Sequence, residues 1–234
     1  MNKIIYIAVI SLWVSACASI NGNGRIKSQA REVSRFNGIE SRSSVDIDIK
    51  KGSSQTVTIE ADENLLQYVT TEVINGDLII ELKPNSSFGN AHLKAHVTSP
   101  ELKSWKVSGS GSIRSNDFFD YQGETNFIVS GSGDIEAVVH SPSVIADVSG
   151  SGSISLKGET KNFRATVSGS GDAKCHDLKS ENTSIEVGGS GSAHVYSSVK
   201  LTAQVSGSGD IFYSGNPASP SIDKSGSGSI QSEK

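Results

Sequence analysis

A few residues in this 234-residue chain could do chemistry if the fold brought them together. Cys175, His176 and Asp177 stand in a row, offering a thiol nucleophile, an imidazole base and a carboxylate to orient it. On a strand, neighbours in sequence point to opposite faces, so these three do not converge as a triad must. Cys175 falls at the inward place that Leu156, Val195 and Tyr213 hold in other units, which reads as a buried core thiol. The five histidines, at 92, 96, 140, 176 and 194, show no metal-ligand spacing. His92 and His96 share one face of a strand-like segment, but lie ~13 Å apart along it. Asp134, Asp172 and Asp210 each follow a Gly-Ser-Gly triplet. Calcium takes roughly 6–8 oxygens, and isolated aspartates flanked by serine supply too few. No metal or cofactor is expected.

One further cysteine has a different context. "MNKIIYIAVISLWVSAC" carries one cation, an apolar run from Ile4 to Val14, and small residues before Cys17. Residues 1–16 read as a secretory signal peptide. "VSAC" resembles the bacterial lipobox, which implies that Cys17 becomes the lipidated N-terminus and that the protein's first partner is a membrane. Ala18 after the cysteine points to sorting to the outer membrane. Residues 17–30, polar with two glycines after Cys17, read as a flexible tether. Cys175 then has no disulfide partner in the chain.

The elements that position these residues come from a repeat. Gly-Ser-Gly triplets begin at residues 109, 131, 150, 169, 189, 207 and 226, with spacings of 22, 19, 19, 20, 18 and 19. Their glycines are Gly109 and Gly111, Gly131 and Gly133, Gly150 and Gly152, Gly169 and Gly171, Gly189 and Gly191, Gly207 and Gly209, Gly226 and Gly228. A period near twenty is the mark of a solenoid and falls short of the ~40 residues of a propeller blade. No apolar residue recurs every six positions, as a hexapeptide helix requires. Within a unit, apolar residues alternate at 144, 146 and 148, at 163, 165 and 167, and at 201, 203 and 205, which is the strand period. The same parity carried through the triplet turns both glycines inward and the serines outward. A tight corner leaves little room for an inward Cβ, and glycine also tolerates positive φ.

After the second glycine, Ser and Asp alternate through Ser112, Asp134, Ser153, Asp172, Ser192, Asp210 and Ser229. Stacked coils put neighbouring rungs ~4.8 Å apart. Interleaved serine therefore holds the outward carboxylates ~10 Å apart and relieves like-charge repulsion. Each Asp can also accept a hydrogen bond from a serine hydroxyl above or below, and Asp172→Ser would only extend the hydroxyl ladder. Residues 33–100 lack the triplet but keep strand alternation, and read as first coils plus a cap. "VINGDLIIEL" (73–82) carries an Asn-Gly hairpin turn, and "DENLLQYV" (62–69) reads as a short helix with Asp62 as its N-cap. Residues 31–234 thus form one all-β domain, with repeat coils over 105–234. A net charge of −4, with 21 basic and 25 acidic residues mixed along the chain, leaves no basic stripe for nucleic acid.

"FNGIESRSSVDIDIKKGSSQTVTIEADENLLQYVTTEVINGDLIIEL", followed by "SPELKSWKVSGSGSI" and its copies, resembles the putative auto-transporter adhesin head GIN domain family over roughly residues 30–234. The resemblance implies a single-stranded right-handed parallel β-helix, with ~19-residue coils here, in an exported and often lipid-anchored bacterial protein. It brings no catalytic motif. Gly188 in place of serine, and Ala173 and Ala193 in place of isoleucine, depart from the repeat. The expected function is non-enzymatic: an envelope-anchored solenoid presenting a polar Ser/Asp face to an unidentified envelope or extracellular ligand, glycan or protein. The alternative is a carbohydrate-binding module or degenerate lyase-like β-helix, using Tyr121, Tyr196 or Phe212 beside the polar ladders. Carboxylates clustered in one groove favour that alternative, and scattered ones favour the first. Coils of 18–22 residues leave almost no room for the long loops of a polysaccharide-cleaving enzyme.

Overall fold

A computed structural model describes residues 19–233; the leader and Cys17 lie outside the described residues. The chain begins with β1 (Ile26–Arg31), β2 (Gly38–Ser41), β3 (Asp46–Lys51) and β4 (Thr56–Asp62). A hairpin of β5 (Val69–Ile74) and β6 (Asp77–Leu82) follows, then β7 (Leu93–Ser99), β8 (Ser104–Val107), β9 (Ile113–Asp120) and β10 (Glu124–Val129). Three long strands come next: β11 (Ile135–Val148), β12 (Ser153–Val167) and β13 (Asp172–Val187). Shorter strands finish the chain: β14 (Ala193–Tyr196), β15 (Lys200–Val205), β16 (Ile211–Ser214), β17 (Ser221–Lys224) and β18 (Ile230–Ser232).

These strands wind into a β-solenoid of about seven turns with ~19-residue coils. One face stacks β5, β6, β2, β8 and β10, continues through the second halves of β11, β12 and β13, and ends with β15 and β17. The other stacks β1, β4, β7, β3 and β9, then the first halves of β11, β12 and β13, then β14, β16 and β18. The Gly-Ser-Gly triplets form one corner between the faces, and residues near 141, 160 and 180 form the second.

Alternation fills the space between. One inward column runs Val107, Val129, Val148, Val167, Val187 and Val205. Another runs Ile47, Ile113, Ile135, Ile154, Ala173, Ala193 and Ile211, all fully buried. Each buried Val or Ile contributes roughly 1.5–3 kcal/mol, so a thin core suffices because it is continuous. Where the valine column reaches the last coil it meets Lys224, which is exposed.

The order of the first coils is not the order of the chain. The β6–β7 coil comes later in sequence than β2–β3 yet packs beneath it, and β8 and β9 stack on the opposite side. The lower end is closed by antiparallel pairing of β5 with β6 and of β4 with β7 and β1. Asn75 and Gly76 both have positive φ, as the hairpin turn requires. Two expectations fail here. The described part of the tether is ordered: β1 pairs with β4 along its whole length, and Ile20 and Gly22 donate to Ser87 O and Asn90 O. The short helix is only a 3-10 turn, Leu66–Tyr68, without a side-chain cap. Asp62 instead accepts from the amides of Gly24 and His92, which ties the N-terminal segment to the cap.

The triplet corner explains its glycines by close approach. None of the fourteen has positive φ, contrary to one half of the expectation. The carbonyl of the first glycine accepts two amides from the coil above: Gly131 O receives Ser151 N at 3.0 Å and Gly152 N at 3.3 Å. The pattern recurs at Gly109, Gly150, Gly169, Gly189 and Gly207. A Cβ at Gly152 would fall on Gly133 O, and one at Gly150 on Gly131 O. Backbone cannot step aside as a side chain can. At Gly188, by contrast, a Cβ would meet nothing nearer than Ser206 Oγ at 3.6 Å.

Urea unfolding should separate these cases. Gly152→Ala is expected to cost about 2–3 kcal/mol through overpacking, and Ser151→Ala to stay within about 0.5 kcal/mol. Gly188→Ser should stabilise by about 0.5 kcal/mol, because it restricts the unfolded chain at a site with room for the side chain. A destabilised Gly188→Ser, or a neutral Gly152→Ala, would contradict this account of the corner.

Candidate functional site

The first corner presents serines outward in two columns. Ser130, Ser149, Ser168, Ser206 and Ser225 are exposed in one, and Ser132, Ser151, Ser170, Ser190 and Ser208 in the other. Beside them runs the alternating row, which has one more member than the triplets reveal. Asp46 of β3 lies below Ser112, so the row begins Asp46, Ser112, Asp134, Ser153. The "SSVDI" segment carries that place without a glycine, which is why the repeat pattern misses it.

The row is built of pairs rather than a uniform ladder. Each Asp Oδ1 accepts the backbone amide of the serine in the next coil: Asp46 from Ser112 at 2.9 Å, Asp134 from Ser153 at 2.9 Å, Asp172 from Ser192 at 3.0 Å and Asp210 from Ser229 at 2.7 Å. In three of the pairs the serine hydroxyl donates to the same oxygen at 2.7 Å. Bonds to a carboxylate are the stronger kind, so the aspartate holds one coil to the next. The view that Asp172→Ser only lengthens a hydroxyl ladder therefore fails, because the shorter side chain loses this charge-assisted bond. The Ser229 hydroxyl and amide hold the Asp210 carboxyl below the usual carboxylate range.

Cys175 is fully buried, and burial pushes its thiol up to about 12. A register shift beside it turns both His176 and Asp177 outward, 3.5 Å apart. Strict alternation is thus broken for that pair, while the thiol stays on the opposite side of the sheet. His92 and His96 lie closer in effect than their spacing along the strand, because both reach Glu60 of the neighbouring β4, at 2.7 and 3.5 Å. Among the described residues no group of three or more His, Cys, Asp or Glu is placed to hold a metal ion.

The second corner carries a groove of about 520 Å³ running along the solenoid axis. One rim is a column of successive coils, Asp120, His140, Glu159 and Lys179, in which acid and base alternate. The floor is made of buried hydroxyls. Ser141 donates to Ser143 O at 2.8 Å, Thr160 to Asn162 O at 3.1 Å, and Ser180 lies 2.6 Å from Thr183 Oγ1. These bonds turn the chain without the repeated glycine pair of the first corner.

Changes in coil length set the groove's ends. The pairing offset is 20 at Asp120↔His140 and 19 at Glu124↔Ser143, so one extra residue lies in the Tyr121–Gly123 segment. At the far end the offset falls from 20 at Cys175↔Val195 to 18 at Asn182↔Lys200, a shortening around Tyr196 to which the extra residue of β13 beside Cys175 contributes. Tyr121 and Tyr196 therefore mark the two ends, both half-exposed, with Lys179 Nζ 4.3 Å from the Tyr196 ring centroid. Phe212, the third aromatic singled out by sequence, stacks on His194 at 4.7 Å, away from this groove. A second groove, of about 600 Å³, crosses the outer surface of the first face, where Asn162 and Asn182 form a side-chain hydrogen bond of 3.0 Å.

Stacked coils with a locked glycine corner and a variable grooved one define a single-chain parallel β-solenoid. The chain belongs to the family described as "Putative auto-transporter adhesin, head GIN domain", which matches residues 35–217. A putative adhesin from Bacteroides fragilis shares the fold at a TM-score of 0.85 and 19% identity, over 92% of this chain and 100% of its own. A putative lipid binding protein from Parabacteroides distasonis superposes at 0.76 and 27% identity, over 93% of this chain and 100% of its own. A putative adhesin from the same organism superposes at 0.70 and 25% identity, over 92% and 100% of the two chains. No curated protein matches the chain significantly.

Two measurements test the local chemistry. Asp210 has a folded pKa below its unfolded value, so its contribution is present above the ordinary aspartate value of ~3.9 and is lost as pH falls through the lower folded value. Protection of the Ser229 amide, taken relative to its intrinsic exchange rate at each pH, should fall on acidification, and Asp210→Asn should remove that pH dependence. In the second, a thiol reagent should label Cys175 slowly in the folded protein and rapidly in urea; fast labelling of the native state would overturn its inward placement.

Proposed function

We propose that this protein is a non-enzymatic, lipid-anchored envelope solenoid that binds an external ligand through its polar surface. Acylation of Cys17 after removal of residues 1–16 supplies the membrane partner, and Ala18 directs the protein to the outer membrane. The observation that carries the binding reading is the pair of exposed serine columns on the first corner, repeated coil after coil on a backbone that has no freedom to rearrange. A rigid, regular, uncharged array suits a repetitive ligand surface, because each coil can repeat the same contact.

Two features support a binder over an enzyme. Carboxylates of the rim column in the second-corner groove do not sit side by side: Asp120 and Glu159 are two coils apart, ~10 Å, with the His140 imidazole between them. Paired acids for glycoside cleavage work closer together, with one kept protonated. The family's description as an adhesin head points the same way. The Parabacteroides relative is described as lipid binding, but the grooves here are lined largely by charged and hydroxyl side chains, which do not suit an acyl chain.

Cell fractionation tests the anchor. Cys17→Ser should move the protein from the membrane to the soluble fraction, and protease shaving of intact cells should remove the wild-type domain. Retention of Cys17→Ser in the membrane would refute the lipid attachment. Placing glutamate at both Ser151 and Ser170 should reduce adhesion severalfold if the serine columns make the contact, and unchanged adhesion would refute their role.

A further inference from the structure

We propose that the second-corner groove is a binding site for a linear, uncharged oligosaccharide laid along the solenoid axis. This rests on the reading that the protein binds an external ligand, but places a distinct site away from the serine columns. The groove crosses five coils, from Tyr121 to Tyr196, a length of ~19 Å at the usual strand spacing. Along it the rim offers an acceptor, then a donor, at each successive coil: Asp120, His140, Glu159, Lys179. A sugar hydroxyl both donates and accepts, so a chain of sugars can satisfy that alternation.

Charge decides against other polymers. A polyanion would lie against Asp120, Glu159 and Glu181, and a polycation against Lys161 and Lys179. An extended peptide would gain most from an unpaired strand edge. Here the long strands that turn through the corner are hydrogen-bonded to the coils on both sides, so the groove offers no edge. The two tyrosines give the ends half-exposed rings with a polar tip, the side chain favoured where one partner is both apolar and wet. Their placement follows from the changes in coil length. The extra residue in the Tyr121 segment and the shortening around Tyr196 fall at the groove's two ends.

Full-length protein carrying Cys17→Ser, titrated calorimetrically, provides the test. The probes are cellotetraose, chitotetraose, mannotetraose and xylotetraose, with tetragalacturonate as the anionic comparator. At least one neutral probe should bind, and Tyr196→Ala and Glu159→Gln should each weaken it about tenfold, the effect of one lost contact of ~1.4 kcal/mol. Glu186→Gln, exposed on β13 away from both the groove and the serine columns, should leave it unchanged, and equal urea midpoints would show that the variants fold. Binding of no neutral probe, stronger binding of tetragalacturonate, or binding indifferent to both groove variants would each overturn the proposal. Cells that still adhere in a serine-dependent way after such a result would leave the broader binding reading standing.

Discussion

Every coil of the repeat region rests on a carbonyl that accepts two amides from the coil above, and no side chain fits between them. At the triplet corner the backbone of each coil runs directly over the carbonyls of the coil below, where an added Cβ would fall on them. Glycine is required there by proximity to backbone, with φ in the ordinary range. Each glycine costs about 0.5–1 kcal/mol of chain entropy, and the doubled hydrogen bonds offset it only if the stack is unbroken. Regularity at this corner is therefore a condition of stability, and the array of serines outside it follows from that regularity.

The Asp/Ser row belongs to the same constraint. Four aspartates, beginning with Asp46 before the first triplet, each reach up one coil to cap a serine amide. Alternation is needed because the capping residue and the capped residue occupy the same place in successive coils. It also keeps carboxylates two rungs apart, so the electrostatic and hydrogen-bonding demands agree. Antiparallel strands cover the lower end of the stack, and at β17 Lys224 takes the place that a valine holds in the coils below.

A fold with one locked corner concentrates its variation at the other. The second corner turns on side-chain hydroxyls, which bond to whatever carbonyl the local path provides. Coils can lengthen or shorten there without disturbing the glycine stack, and the pairing offsets show that they do. The groove with its alternating charges and terminal tyrosines lies where such changes are tolerated. Position in a repeat thus sorts residues into those whose backbone holds the stack and those whose path can change from coil to coil.

The solenoid, its coil length and the faces of its strands were legible in the residues themselves. A period near nineteen and an alternation of two are local patterns that survive into any structure that keeps them. The family resemblance rested on the same stretches, and Cys175 could be placed inward from parity alone. Other features depend on which coil lies next to which, and that is not written in local pattern. The insertion of β6–β7 beneath β2–β3, the ordering of residues 20–31 against the cap, and the union of His92 and His96 through Glu60 all join distant segments. Asp46 escaped notice because it keeps the row's chemistry without the glycines that mark it. The groove depends on changes of a residue or two in coil length, whose meaning appears only once the register is known. Sequence determined the repeating unit because its forces act within a coil and between equivalent positions; tertiary structure decided the ends, the order and the groove, because those come from contacts between segments that do not repeat.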